Sequence, residues 1–282
     1  MRRFAALLMA AILCAALCVP AAASSEESMA AEPASGESNP YAGKRLSILS
    51  DSASAYTGTI PEGYDTYFTP ENLPDIHDIW WMRLLDATGM TLCANNSFSG
   101  ACLSTGARQD GGYISACDPR RTGALCDEDG NPPDYIIIFA GVDDFLLHVD
   151  MGSCGGESSA DTSTFRGALA VLITALRENY PDAKLFIGTS VHAEITEYDY
   201  PEAVRSGLSQ SEFNDIIREM AALFDVEVIE FADCGIHADN LDIYMEDHLQ
   251  QRWFYDGIIA GGLHPNEAGQ ELMFLEALKH FS

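Results

Sequence analysis

The 282-residue chain has little positive charge. It contains 15 lysines and arginines against 43 aspartates and glutamates, which gives a formal net charge of −28. Nucleic-acid binding needs clustered Lys and Arg side chains that neutralise phosphates, and the same cations attract a protein to an anionic membrane surface. The composition therefore argues against nucleic-acid binding and against docking on an anionic membrane.

The sequence also lacks the short motifs of several metal and cofactor sites. None of its eight cysteines forms a Cys-x-x-Cys pair, which argues against a structural zinc site. It has no glycine-rich phosphate loop and no dinucleotide fingerprint. The acidic segment 127–131 is not followed by the glutamate that ends a calcium-binding loop. We expect neither a metal ion nor an organic cofactor.

The first 23 residues have the pattern of a signal peptide. Arg2 and Arg3 precede an apolar run over 4–19, and small residues follow at 21–23. The run is shorter than the roughly 20 residues that span a bilayer, and a small-residue cleavage site follows it directly, which favours cleavage over a membrane anchor. We expect the mature protein to be secreted or extracytoplasmic, with no membrane attachment after cleavage.

The rest of the chain divides into a linker and one domain. Residues 24–43 are rich in Ser, Glu, Ala, Pro and Gly, a composition typical of a disordered linker. Over 44–282, apolar strand patterns alternate with amphipathic helix patterns, without internal repeats. The predicted strands are 45–51, 90–97, 134–141, 183–190 and 226–233. Such alternation predicts an α/β domain with a parallel sheet of about five strands and ligands bound beyond the carboxyl ends of its strands.

Six cysteines remain after removal of residues 1–23. An even number of cysteines in an exported protein is compatible with disulfides. Cys117 and Cys126 flank a polar loop, and we predict that they form a pair. Buried free thiols are the alternative.

Four short blocks at the ends of predicted strands could carry chemistry. In the first, ILSDSAS, Ser52 places a hydroxyl among small residues directly after a strand, as a nucleophilic serine requires. Alone, a serine in this place is more often a helix N-cap. The blocks NNSFSGA (95–101), FAGVDD (139–144) and LHPN (263–266) follow in order. Together the four blocks favour an active site.

These blocks resemble those of the SGNH (GDSL) hydrolase family, in the family's order and from Leu46 to the C-terminus. The resemblance implies a three-layer α/β/α, flavodoxin-like fold and serine-dependent hydrolysis of carboxylic esters. It implies that Ser52 is the nucleophile and that His264 is the general base. The backbone N–H groups of Ser52 and Gly100 would then be donors of the oxyanion hole.

Three positions depart from the family pattern. Ser50 replaces a glycine, and Asp143 replaces the asparagine whose amide is the third oxyanion donor, so that only a protonated Asp143 could donate. Position 261 is glycine where the family has the aspartate that orients the histidine. If 257–262 is an insertion, Asp256 could take that role. A Ser–His dyad oriented by a backbone carbonyl is the alternative.

The sequence thus predicts a secreted serine esterase that acts on a small-molecule or glycan ester. Acyl groups on carbohydrates would suit an exported enzyme. The alternative is a catalytically impaired domain that binds a glycan or a partner. Asp143 and Gly261 favour this alternative, whereas Ser52, Gly100 and His264 argue against it. The sequence leaves the oligomeric state open.

Overall fold

The computed structural model describes residues 39–107, 112–153, 160–197, 208–246, 253–255 and 258–282. The predicted signal peptide, most of the predicted linker and Asp256 lie outside these ranges. Residues from Asn39 to Ser282 form one compact unit. Within the described ranges, no helix is long and apolar enough to cross a membrane, and no group of three or more metal-binding side chains comes together.

Five parallel strands form the central sheet. The strands of the described residues are β1 (Arg45–Ser50), β2 (Thr91–Ser97), β3 (Tyr135–Phe139), β4 (Lys184–Gly188), β5 (Glu194–Glu197), β6 (Glu227–Ile229), β7 (Trp253–Tyr255) and β8 (Ile258–Gly261). The central sheet has the order β2-β1-β3-β4-β6, and its neighbouring strands are all parallel. The five predicted strands are therefore confirmed. The isoleucines of β3 are fully buried, as expected for a strand covered on both faces.

Helices cover both faces of this sheet. They are α1 (Trp80–Thr88), α2 (Pro119–Thr122), α3 (Val142–Leu146), α4 (Phe165–Asn179), α5 (Gln210–Leu223), α6 (Leu241–Tyr244) and α7 (Glu267–Leu278). Trp80 of α1 and Met273 of α7 belong to the apolar cluster on one face. Leu169 of α4 and Phe213 of α5 belong to the cluster on the other. These layers confirm the predicted three-layer α/β/α fold.

Residues 39–43, in the predicted linker, contact the domain that we predicted to begin at residue 44. The Asn39 side-chain amide donates a hydrogen bond to the Thr88 carbonyl oxygen at 2.7 Å. The Gly43 N–H donates to the Gly89 carbonyl oxygen at 2.8 Å. Both bonds hold 39–43 against the end of α1, a contact that the composition of this segment does not reveal.

A second, antiparallel sheet was not predicted. Its strand order is β5-β8-β7, and Gly261 at the end of β8 pairs with Glu194 of β5. Residues 258–261, inside the segment that could be an insertion, therefore form the whole of β8, the strand that precedes His264. Strands of three or four residues have weak local patterns, because most of their stabilisation comes from pairing with distant segments.

The predicted disulfide between Cys117 and Cys126 was wrong, because both are free thiols. Cys117 packs into the apolar cluster beneath α4. Burial raises the pKa of its thiol to about 12, so the thiol stays protonated. Part of the polar loop between the two cysteines folds as α2, capped by Asp118. Cys93 and Cys234 are also free thiols, and Cys154 lies outside the described residues.

Candidate active site

Ser52 opens a single 3-10 turn directly after β1. The turn spans Ser52–Ser54, and its N-cap Asp51 accepts a hydrogen bond from the Ala53 N–H at 3.2 Å. Asp51, Ala53 and Ser54 are buried, whereas Ser52 is partly exposed. Ser52 is therefore the residue of this turn that reaches solvent.

The serine at position 50, where the family has glycine, ties β1 to β3. Its hydroxyl donates to the Phe139 carbonyl oxygen at 2.5 Å. Its oxygen also lies 2.9 Å from the Ser54 hydroxyl oxygen, inside the 3-10 turn. The substitution thus adds contacts that hold the Ser52 turn on the sheet.

Gly100 lies in a tight turn beside the same strand. The turn follows β2, and it is closed by the Ala101 N–H, which donates to the Phe98 carbonyl oxygen at 3.1 Å. The Phe98 N–H donates to the Ser50 carbonyl oxygen, also at 3.1 Å. Gly100 has a φ of +76°, a conformation that favours glycine. The turn is therefore anchored two residues before Ser52.

His264 is buried between β8 and α7. Its ring stacks on Tyr67, with ring centroids 3.4 Å apart and planes 10° from parallel. Its carbonyl oxygen accepts a hydrogen bond from the Glu246 N–H at 2.8 Å. The Tyr67 N–H donates to the Ala55 carbonyl oxygen at 3.2 Å, next to the Ser52 turn. Tyr67 therefore contacts both segments, and sequence reasoning gave it no such role.

One cavity brings the neighbours of Ser52 and His264 together. Asp51 and Ala53 flank Ser52, Leu263 and Pro265 flank His264, and all four line the same cavity. The remaining lining residues are Phe139, Ala140, Val142, Gly188, Ser190, Val191, Ala193, Phe213 and Ile217. The cavity measures about 20 Å³, which is room for about one water molecule.

Two aspartates follow β3, and they have different surroundings. Asp144 is fully buried and accepts hydrogen bonds from the Leu103 N–H at 2.6 Å and the Ser104 N–H at 2.9 Å. Burial raises its pKa to about 6. Asp144 thereby holds the segment that follows Gly100. Asp143 is also buried and is the second residue of α3.

Gly141, just before these aspartates, sets the direction of the chain. It has a φ of +124°, and a Cβ added there would lie 2.7 Å from the Phe165 ring.

Because Asp256 lies outside the described residues, its predicted role in orienting His264 stays a prediction.

Arg121 is a site residue that the sequence analysis missed. Its guanidinium is fully buried, and it donates to the Ser50 carbonyl oxygen at 2.7 Å and to the Asn96 carbonyl oxygen at 2.6 Å. It also donates to the Asn96 side-chain oxygen at 3.0 Å and the Ile114 carbonyl oxygen at 3.1 Å. Burial lowers its pKa to about 10, which leaves it charged at neutral pH. Arg121 therefore joins the ends of β1 and β2 below Ser52.

The pKa of the Asp51 carboxyl should make the free energy of unfolding depend on pH. Burial raises its pKa to about 7, against smaller lowering contributions from the Ala53 N–H and Arg121. The folded protein therefore holds this proton more tightly than the unfolded chain, so the free energy of unfolding should fall as pH rises from about 4 to about 7. Asp51→Asn should flatten this fall in thermal unfolding midpoints measured between pH 4 and pH 8.

Asp127→Asn is the matched control. The Asp127 carboxyl is exposed, and hydrogen bonds from Asn131 lower its pKa further below this pH range. The control should keep the wild-type slope. Equal slopes in wild type and Asp51→Asn would contradict the assignment to Asp51.

Comparisons with known proteins agree with this geometry. The sequence model of the GDSL-like lipase/acylhydrolase family matches residues 44–238, a range that includes Ser52, Gly100 and Asp143 but not His264. No curated protein gives a significant match.

Solved structures share the fold. A putative GDSL-like lipase from Bacteroides ovatus is 22% identical, with 85% of this chain and 98% of that chain covered and a TM-score of 0.59. A Lactobacillus plantarum protein is 23% identical, with 85% and 96% covered and a TM-score of 0.58. The M. smegmatis aryl esterase is 14% identical, with 84% and 98% covered and a TM-score of 0.52. At these identities the likeness shows the fold alone.

Proposed function

The chain belongs to the GDSL-like lipase/acylhydrolase family, and we propose that it hydrolyses carboxylic esters through an acyl-enzyme on Ser52. The observation that carries this proposal is the cavity between the Ser52 turn and the His264 turn. Ser52 is partly exposed at the carboxyl end of β1, where α/β proteins bind ligands. Acyl transfer requires a nucleophile and a base within hydrogen-bond reach of each other, and the turns that carry Ser52 and His264 meet at this cavity.

The proposed reaction has two steps. The Ser52 hydroxyl attacks the ester carbonyl carbon while His264 takes its proton, and that proton then goes to the leaving alcohol oxygen as the ester bond breaks. Water, activated by His264, then hydrolyses the acyl-enzyme. The backbone N–H groups of Ser52 and Gly100 would stabilise the oxyanion, with a protonated Asp143 as the third donor.

The shape of the site favours a short acyl group on a polar alcohol. The walls of the 20 Å³ cavity include Phe139, Val142 and Val191, which leave room for a methyl-sized group next to Asp51 and Ala53, the neighbours of Ser52. A polar cleft of about 200 Å³ meets this cavity at Ser190. It is lined by Ser190, His192, Gln210, Ser211, Asn214, Arg218, Ala232 and Asp233. Such a lining suits a polyhydroxylated alcohol, and we propose an acylated carbohydrate as substrate.

Hydrolysis of p-nitrophenyl esters by the protein from Ser24 onward tests the proposal. The acetate should be hydrolysed between pH 5 and pH 8, and kcat/KM should fall steadily from acetate through butyrate to octanoate, because the cavity admits only a small group. Ser52→Ala should remove the activity. Ser163→Ala, which changes an exposed serine before α4, should not.

The outcomes of this assay separate the two functions that the sequence suggested. Activity that survives Ser52→Ala would contradict the assigned nucleophile. A folded protein with no hydrolysis of any of these esters would favour the binding domain that Asp143 and Gly261 suggested, and glycan binding would then be measured by calorimetry. Export through residues 1–23, with no membrane attachment afterwards, remains part of the proposal.

A further inference from the structure

A series of buried hydrogen bonds runs from the Ser52 turn to the His264 turn. The Trp80 indole N–H donates to the Ser54 hydroxyl oxygen at 3.1 Å. The Trp80 backbone N–H donates to the Gln270 side-chain oxygen at 3.0 Å. The Gln270 side-chain amide then donates to the Pro265 carbonyl oxygen at 3.2 Å. We call this series the Ser54–Pro265 connection.

Both ends of the Ser54–Pro265 connection are next to proposed catalytic residues. Ser54 ends the 3-10 turn that Ser52 begins, and Pro265 directly follows His264. All four residues of the connection are buried, with Trp80 and Gln270 fully inaccessible to solvent. The connection is therefore shielded from water, which would otherwise compete for its hydrogen bonds.

The polar side chain of Gln270 also caps the start of α1. Helix α1 begins at Trp80 after Ile79, a residue without a capping side chain, so that the Trp80 N–H needs an acceptor from elsewhere. Gln270 supplies that acceptor from α7, 190 positions along the chain. It uses its other group on Pro265 rather than on its own helix. One side chain thus joins the start of α1 to the loop that carries His264.

We propose that Gln270 and Trp80 are positioning residues that hold the Ser52 turn and the His264 turn at a fixed separation. This inference rests on the proposed function, because it assigns the two residues a task in that hydrolysis. A nucleophile and its base must lie within hydrogen-bond reach, and a misplacement of about 1 Å by a distant mutation can cost about 100-fold in rate.

Two variants interrupt the connection at different points. Gln270→Met retains a similar volume and removes both hydrogen bonds, and Trp80→Phe removes the indole N–H. For p-nitrophenyl acetate each should lower kcat by about 10- to 100-fold and leave KM within about twofold, because substrate contacts are unchanged. The double variant should lose about as much as the worse single variant, since both interrupt one connection.

Tyr180→Phe is the control for a purely structural effect. The Tyr180 hydroxyl accepts a buried hydrogen bond from the Leu125 N–H at 2.9 Å, near the amino end of β3. Its removal should lower the thermal unfolding midpoint and leave kcat at the wild-type value. If Gln270→Met and Trp80→Phe behave in the same way, the Ser54–Pro265 connection only stabilises the fold and the proposal is wrong.

The NMR signals of the His264 ring give a readout that needs no substrate. Stacking on Tyr67 shifts these signals upfield, and loosening of the His264 turn should move them in Gln270→Met but not in Tyr180→Phe. If the wild-type protein hydrolyses no ester, the proposed function fails separately. The His264 ring signals then test whether Gln270 positions the His264 turn. If these signals are the same in Gln270→Met as in the wild type, the inference is wrong. If Gln270→Met does not fold, Trp80→Phe is read by the same criteria.

Discussion

Ser52→Ala, His264→Gln and the double variant should all lower kcat for ester hydrolysis by about 10⁶-fold, with the double variant no slower than either single variant. The reason is that the two side chains act as one unit. Without the histidine the hydroxyl keeps its proton and is a weak nucleophile, and without the hydroxyl the base has no proton to accept. Steady-state kinetics with p-nitrophenyl acetate at pH 8 would measure all three.

A phosphonate ester that labels active serines gives an independent check. It should modify wild-type Ser52, as identified by mass spectrometry of the labelled peptide, and should not modify His264→Gln at a measurable rate. His192→Gln is a suitable control, because His192 lines the adjacent polar cleft and has no role in the proposed proton transfer. Losses in Ser52→Ala and His264→Gln that multiply in the double variant would contradict a shared mechanism.

Arg121→Met should lower the free energy of unfolding by about 3–5 kcal/mol, because each buried acceptor that loses its donor costs about 1–3 kcal/mol. The variant leaves the buried carbonyl oxygens of Ser50 and Asn96, and the partly buried one of Ile114, without their guanidinium donor. It also removes the positive charge that lowers the pKa of Asp51. Urea unfolding followed by circular dichroism at pH 8 would measure the loss.

The neighbouring arginine provides a matched control. Arg120 is exposed and pairs with Asp118, so Arg120→Met should leave the free energy of unfolding unchanged within error. The comparison holds residue type, helix and substitution constant, and varies only burial. A loss of less than about 1 kcal/mol in Arg121→Met would show that the buried guanidinium is not needed to join β1 and β2.

Local patterns were sufficient to predict the central sheet and its flanking helices. β3 has a run of isoleucines because both of its faces are covered, and α5 begins with a Ser209–Glu212 capping box. Such signals depend on residues close together in the chain, and they are readable without a fold. The order of the four blocks likewise indicated the family, which the match over 44–238 shows.

The same patterns failed where distant segments decide the outcome. The antiparallel sheet depends on pairing between Glu194–Glu197 and Ile258–Gly261. Neither segment is long enough to be predicted as a strand from its own residues. The PRRT sequence does not show that Arg121 is buried and Arg120 is exposed, because the packing of α2 determines which of the two side chains is buried. Cys117 and Cys126 had a suitable loop between them, but the fold leaves both as free thiols.

The sequence by itself determined the fold class, the family and the places where Ser52, Gly100 and His264 stand in their blocks. Only the tertiary structure decided what surrounds them: the ring of Tyr67 on His264, the guanidinium of Arg121 below Ser50, and the Ser54–Pro265 connection. The physical reason is separation along the chain. The bond between Trp80 and Gln270 joins residues 190 positions apart, and no local pattern records a contact that forms only when the sheet and its helices have packed.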